Sequence, residues 1–141
     1  MTSLTLADAD PVSAILGWLQ EHPGVADMLG GPGRVSGIAE APWPHLLVGH
    51  GPGGDLRDLK WATAPEVTLE VYGDPGGWPG RAELRRIILR CAQAAQELVE
   101  APHVPGSPVI SSITPSGVLL WSPLVDKQPR WLMNLSVVLH P

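Results

Sequence analysis

Proline and glycine set the limits on what this chain can fold into. It carries 16 of each, clustered between segments with clear hydrophobic periodicity, so they punctuate a fold rather than replace one. The longest stretch free of both runs from residue 81 to residue 101, and only there does a long helix fit. A doubly wound parallel sheet needs helices alternating with its strands, and one long helix does not supply them. The expected fold is therefore α+β: an antiparallel or mixed β-sheet with one long and one or two shorter helices packed on one face. At 141 residues the chain fits one domain spanning 1–141, with residues 1–9 expected to be flexible.

The elements follow from capping and period. Asp10 is an N-cap and Pro11 stands at N1, where its missing N–H costs nothing. Val12, Ile15, Leu16 and Leu19 then recur at helical spacing, flanked by Trp18. His22-Pro23-Gly24 stops that helix. A short second helix uses Val25, Met28 and Leu29 before Gly30-Gly31-Pro32-Gly33 breaks it.

Residues 34–38 predict a short strand with Val35 and Ile38 partly buried, and 45–50 a compact apolar strand. Residues 51–59 read as an exposed loop. Alternation of Val67, Leu69 and Val71 with Thr68, Glu70 and Tyr72 marks the clearest strand. The long helix covers residues 80–100, with Leu84, Ile87, Ile88, Cys91, Ala94, Ala95 and Leu98 on one face. Strands are expected at 109–113, at 118–121 and over a final stretch at 130–140.

Charge and residue inventory exclude several functions. The net charge of −5 gives no Lys/Arg surplus for phosphate binding. A single cysteine, Cys91, allows no internal disulfide and no multi-cysteine zinc site. It lies on the apolar face of the long helix, where cysteine packs as a small hydrophobe. No segment reaches the ~18 consecutive apolar residues of a membrane helix. The first ten residues lack a basic and apolar leader, so a soluble protein made in the cytoplasm is expected.

The run Gly49-His50-Gly51-Pro52-Gly53-Gly54 matches G-x-G-x-x-G, but no helix pattern follows its third glycine, and a dinucleotide site needs that helix N-terminus. It reads as a surface loop. His45 and His50 point to opposite faces of one strand, and each histidine is expected at the surface or in a turn. Carboxylates form no acid/base pair and no serine occupies a nucleophile elbow. Arg81, Arg85, Arg86 and Arg90 off the apolar face are read as solvated or as ion-paired between subunits. No enzyme activity is expected, and no catalytic residue, cofactor or metal is assigned.

Tryptophan is the residue type that points elsewhere. Trp43 and Trp78 sit in Pro/Gly-rich loops and Trp61 borders one, positions suited to protein contacts. Arg34, Trp43, Trp61, Trp78 and Arg130 are the candidate contact residues, chosen by side-chain type and by loop or strand-end position.

Read in order, these segments resemble a family. Asp10-Pro11 opens an apolar helix, followed by His22-Pro23-Gly24-Val25, Gly33-Arg34-Val35, and Pro44 before the strand of Leu46 to Val48. The strand ending at Tyr72 precedes the amphipathic helix, and Gln128-Pro129-Arg130-Trp131 enters the alternating final strand. From Asp10 to His140 the chain resembles the tail-terminator (minor tail, tail-completion) proteins of siphophages. That resemblance implies a six-membered ring of identical subunits at the head-proximal end of the tail. Such a ring stops polymerisation of the tail-tube protein and presents a surface to the head–tail connector protein. Glycine-rich stretches 49–54 and 73–80 would be mobile until docking. The alternatives are a neck or head-completion protein, a small ligand- or nucleotide-binding protein built on the Gly49–Gly54 run, and a host protein that binds another protein.

Overall fold

The computed structural model describes residue 6, residues 9–58, 61–102 and 109–140, and the side chains of these except 55–58. Most of the segment expected to be flexible, along with His103 and Ser107, lies outside the described residues. Leu6, from that segment, is buried in the core.

Helix α1 covers Pro11–Glu21; the Asp10 carboxylate accepts from the Ser13 amide at 3.2 Å and the Ser13 hydroxyl at 2.6 Å. Helix α2, Pro23–Leu29, is capped by the side chain of His22, whose Nδ1 accepts from the Val25 amide. The other ring nitrogen, Nε2, sits 2.7 Å from the Glu97 carboxylate. Gly30 ends α2 at φ 90°, a left-handed cap that a Cβ would strain.

Strand β1 is only Val35–Ser36, paired in parallel with Leu46 and Leu47 of β2, His45–Asp58. Strand β3, Ala62–Tyr72, returns antiparallel to β2. Helix α3, Arg81–Gln96, continues into a 3₁₀ turn, Glu97–Glu100. Strands β4, Val109–Trp121, and β5, Arg130–His140, form a closing hairpin, and β5 inserts beside β3. The sheet order is β1-β2-β3-β5-β4, mixed because only β1 runs parallel. The expected α+β class is therefore the observed one.

One face of the sheet carries Leu46, Val48, Val67, Leu69, Val71, Trp131, Met133, Leu135 and Val137, buried under Ile15 and Leu19 of α1 and Leu84, Ile88, Cys91 and Ala95 of α3. Each large aliphatic side chain fully buried there contributes roughly 1.5–3 kcal/mol relative to exposure. Cross-links tie the elements together: the Trp18 indole N–H of α1 donates to the Ala94 carbonyl of α3 at 2.8 Å, and the Gln96 amide of α3 donates to the Ile113 carbonyl of β4 at 3.0 Å.

Four expectations are corrected. Residues 51–58 are not a loop but the second half of β2, because Gly51 and Gly54 permit close approach to β3. A Cβ on Gly51 would stand 2.5 Å from that of Glu66, so the glycines there serve strand pairing and leave no phosphate-binding turn. Leu59 lies outside the described residues. The strands expected at 109–113 and 118–121 are one strand bent by a register shift between Ser116 and Leu120. Ile38 is exposed rather than partly buried, since β1 ends two residues earlier. His45 is fully buried, not at the surface.

Candidate protein-docking surface

At the end of the sheet where β3 stops and β5 begins, two loops and two helices meet. Trp43-Pro44 leads into β2, and Trp78-Pro79 leads into α3. With the C-terminal turn of α2 they frame a groove of about 320 Å³ floored by Met28 and Ile87. The groove continues along the α2–α3 seam towards Asp27, Arg86 and Arg90. Its walls mix Trp43 and Trp78 with Arg34 and Glu83, its far rim carries both acids and bases, and Trp78 is 66% exposed.

Arg34 builds one wall. Its Nη1 donates to the Leu29 carbonyl at 2.6 Å and to the Trp43 carbonyl at 2.7 Å, tying the end of α2 to the tryptophan loop. The second loop is held from within. The Asp74 amide donates to the Trp78 carbonyl at 2.6 Å, and the Asp74 carboxylate accepts from the Gly76 amide at 2.6 Å. Gln128, from the connection between Trp121 and Arg130, anchors it by donating to the Gly73 carbonyl at 2.8 Å.

Behind the Trp43 loop lies His45. Its Nε2 is 2.8 Å from the Ser36 hydroxyl, which donates its one proton to the Ile38 carbonyl at 2.8 Å. The ring's other nitrogen, Nδ1, is buried and has no hydrogen-bond partner among the described residues. Burial holds its pKa below the ordinary histidine value, with the Glu40 charge pulling the other way. Trp43 packs edge-on to this ring at 6.5 Å and also against Tyr72 at 6.4 Å.

Next to the Trp78 loop, and bonded to it at Gly73, residues 122–129 join β4 to β5. The Leu124 amide donates to the Gln128 carbonyl at 3.0 Å and the Lys127 amide to the Leu124 carbonyl at 2.8 Å, with Lys127 at φ 69°. Arg130 braces its base by donating to the Ser122 carbonyl at 2.8 Å and hydroxyl at 3.0 Å, while lying 3.5 Å from the Glu70 carboxylate. At the tip Val125 is fully exposed, beside exposed Asp126. Arg81 lies over the Trp121 and Trp131 rings at 5.0 and 5.5 Å, fixing the start of α3 above this hairpin.

Three of the five candidate contact residues, Arg34, Trp43 and Trp78, thus meet at one groove, and Arg130 supports the adjacent turn. Trp61 stands apart at the β2–β3 tip, 71% exposed. Sequence reasoning missed Val125; the signal was an apolar pair, Leu124-Val125, set between Pro123 and Asp126 in an otherwise polar turn. It also read Met28 and Ile87 only as helix-stripe residues. Among the described residues, no three of His, Cys, Asp and Glu gather in a metal-binding group. Cys91 is fully buried, and burial pushes its thiol up to about 12.

This arrangement defines a two-layer α+β fold with helices on one face of a mixed five-stranded sheet. No family model matches the chain. No curated protein matches it either. Among solved structures it is similar to a chain of the virion of a native gene transfer agent particle, with a TM-score of 0.68 and 12% identity, over 92% of this chain and 94% of that one. At that identity the likeness is one of fold, and it runs through nearly the whole of both chains.

Proposed function

We propose that this protein is a structural subunit of a phage-like virion, and within that class a tail terminator. The observation that carries the reading is the end-to-end likeness of fold to a chain of a gene transfer agent virion. The family resemblance of the sequence from Asp10 to His140 supports the finer role. In it, copies of the chain form a six-membered ring that caps the tail tube, ends its polymerisation and offers its other side to the head–tail connector. The subunit works by shape and contact rather than by chemistry, in keeping with a buried, inert Cys91 and a Gly49–Gly54 run spent on strand pairing.

Mass in solution with negative-stain imaging, alone and with tail-tube protein added, tests this. Six copies of the 15.0 kDa chain give a ring of roughly 90 kDa with a central hole, since closed rings require rotational symmetry. A chain that stays monomeric and ignores the tube protein overturns the terminator role. Binding to portal protein instead of tube would move it to the neck.

A further inference from the structure

We propose that His45 is an acid-operated latch: its protonation frees the strap of residues 37–44, and with it the Trp43 wall of the groove, while the sheet and α3 stay folded.

The covering of His45 is local. Leu46 and Val48 point into the core beneath the helices, so strand alternation turns His45 to the other face of the sheet. It is fully buried all the same. Trp43 stands edge-on to its ring at 6.5 Å, and the Ser36 hydroxyl lies 2.8 Å from Nε2. Residues 37–42 of the strap are all exposed. Polar ties hold them down: the Ser36 hydroxyl bonds the Ile38 carbonyl at 2.8 Å, and the Arg34 guanidinium bonds the Trp43 carbonyl at 2.7 Å. A segment that buries so little apolar surface opens at a fraction of the cost of global unfolding.

The ring supplies the trigger. Neutral imidazole carries one N–H and the protonated ring carries two, whichever tautomer it starts from. Protonation therefore leaves an N–H at Nδ1, which is buried and has no partner among the described residues. Held in place, the ring would be a buried cation with an unmet donor; release of the strap hydrates it. Burial is the larger influence and lowers the ring's pKa, the exposed Glu40 carboxylate on the strap works against it, and Arg34 works with it. Across the strands His45 faces Tyr72 and Tyr72 faces Arg130, a further cation, whose carboxylate neighbour is Glu70 at 3.5 Å. The closed form binds the proton more weakly than the open one, so opening grows as the pH falls below about 6.5.

Fluorine NMR of the chain labelled with 5-fluorotryptophan tests this, with the Trp43 line assigned by Trp43→Phe. Between about pH 7.5 and about pH 5 the Trp43 line is expected to cover most of the distance to its position in the urea-unfolded chain. The line of Trp131, whose indole N–H bonds the Arg81 carbonyl at the start of α3, is expected to stay at its folded position. The Trp43 step is expected to vanish in His45→Gln and to persist in Glu40→Gln. Ser36→Ala, which removes the tie to Ile38, is expected to displace the Trp43 line already at neutral pH, and it decides the matter independently if His45→Gln does not fold. A Trp43 line that stays near its folded position means that the ring protonates in place, and overturns the latch. So does a line that moves only together with that of Trp131, a step lost in Glu40→Gln, or a Ser36→Ala variant that behaves as the native chain.

Discussion

His45 is placed at a cost. Its Nδ1 is buried with no partner, and burial holds the imidazole's pKa below the ordinary 6.5. In the unfolded chain the ring protonates near that ordinary value, so below it the unfolded state binds more protons and gains ground. Stability that is fully present above about pH 6.5 is therefore expected to fall as the pH drops beneath it, until the folded ring protonates too. Urea midpoints from pH 8 to pH 5 measure this, and His45→Gln is expected to flatten the slope in that window. An unchanged slope would mean the titration lies elsewhere. Arg34 makes the opposite case, a polar group that satisfies two carbonyls. Arg34→Ala leaves the Leu29 and Trp43 oxygens unmet and is expected to cost roughly 1–3 kcal/mol, read from denaturant unfolding. Cys91, with its thiol near 12, is expected to stay unmodified by a thiol reagent until denaturant is added.

At the scale of elements, the β2–β3 pair depends on glycines for a steric reason. A Cβ on Gly51 would clash with the Glu66 backbone and Cβ, whereas one on Gly49 would meet only the Leu47 side chain at 3.5 Å. Gly51→Ala is expected to cost about 1–3 kcal/mol, in the range of overpacking, and Gly49→Ala much less; paired thermal melts decide. Equal losses would mean that strand propensity, not contact, sets the cost. Most elements could be read in the sequence: α1 from Asp10-Pro11, α3 from its apolar stripe, β5 from its alternation. The far half of β2 could not. A glycine-rich strand has almost no side-chain period to read, and its pairing is decided by the facing strand. The bent β4 was split in reading for a related reason, since Pro115 and Gly117 look like a break and the structure uses them as a bulge.

For the whole molecule, those same residues bear on edge-to-edge pairing of strands. Strand β4 is a sheet edge, and a straight edge invites pairing with another chain. Pro115, Gly117 and the register shift between Ser116 and Leu120 blunt it. Pro115→Val is expected to produce concentration-dependent aggregates by light scattering where the native chain gives none. Their absence would show that the bend alone protects the edge.

The sequence by itself determined the local elements, the apolar faces and the α+β class, because caps, periods and the spacing of proline and glycine act within a few residues. Only the tertiary structure decided that Arg34, Trp43 and Trp78 surround one groove while Arg130 braces the β4–β5 turn beside it. It alone buried His45 and left Val125 bare. Those outcomes depend on which distant segments come to lie side by side, and no local pattern encodes that before the sheet has formed.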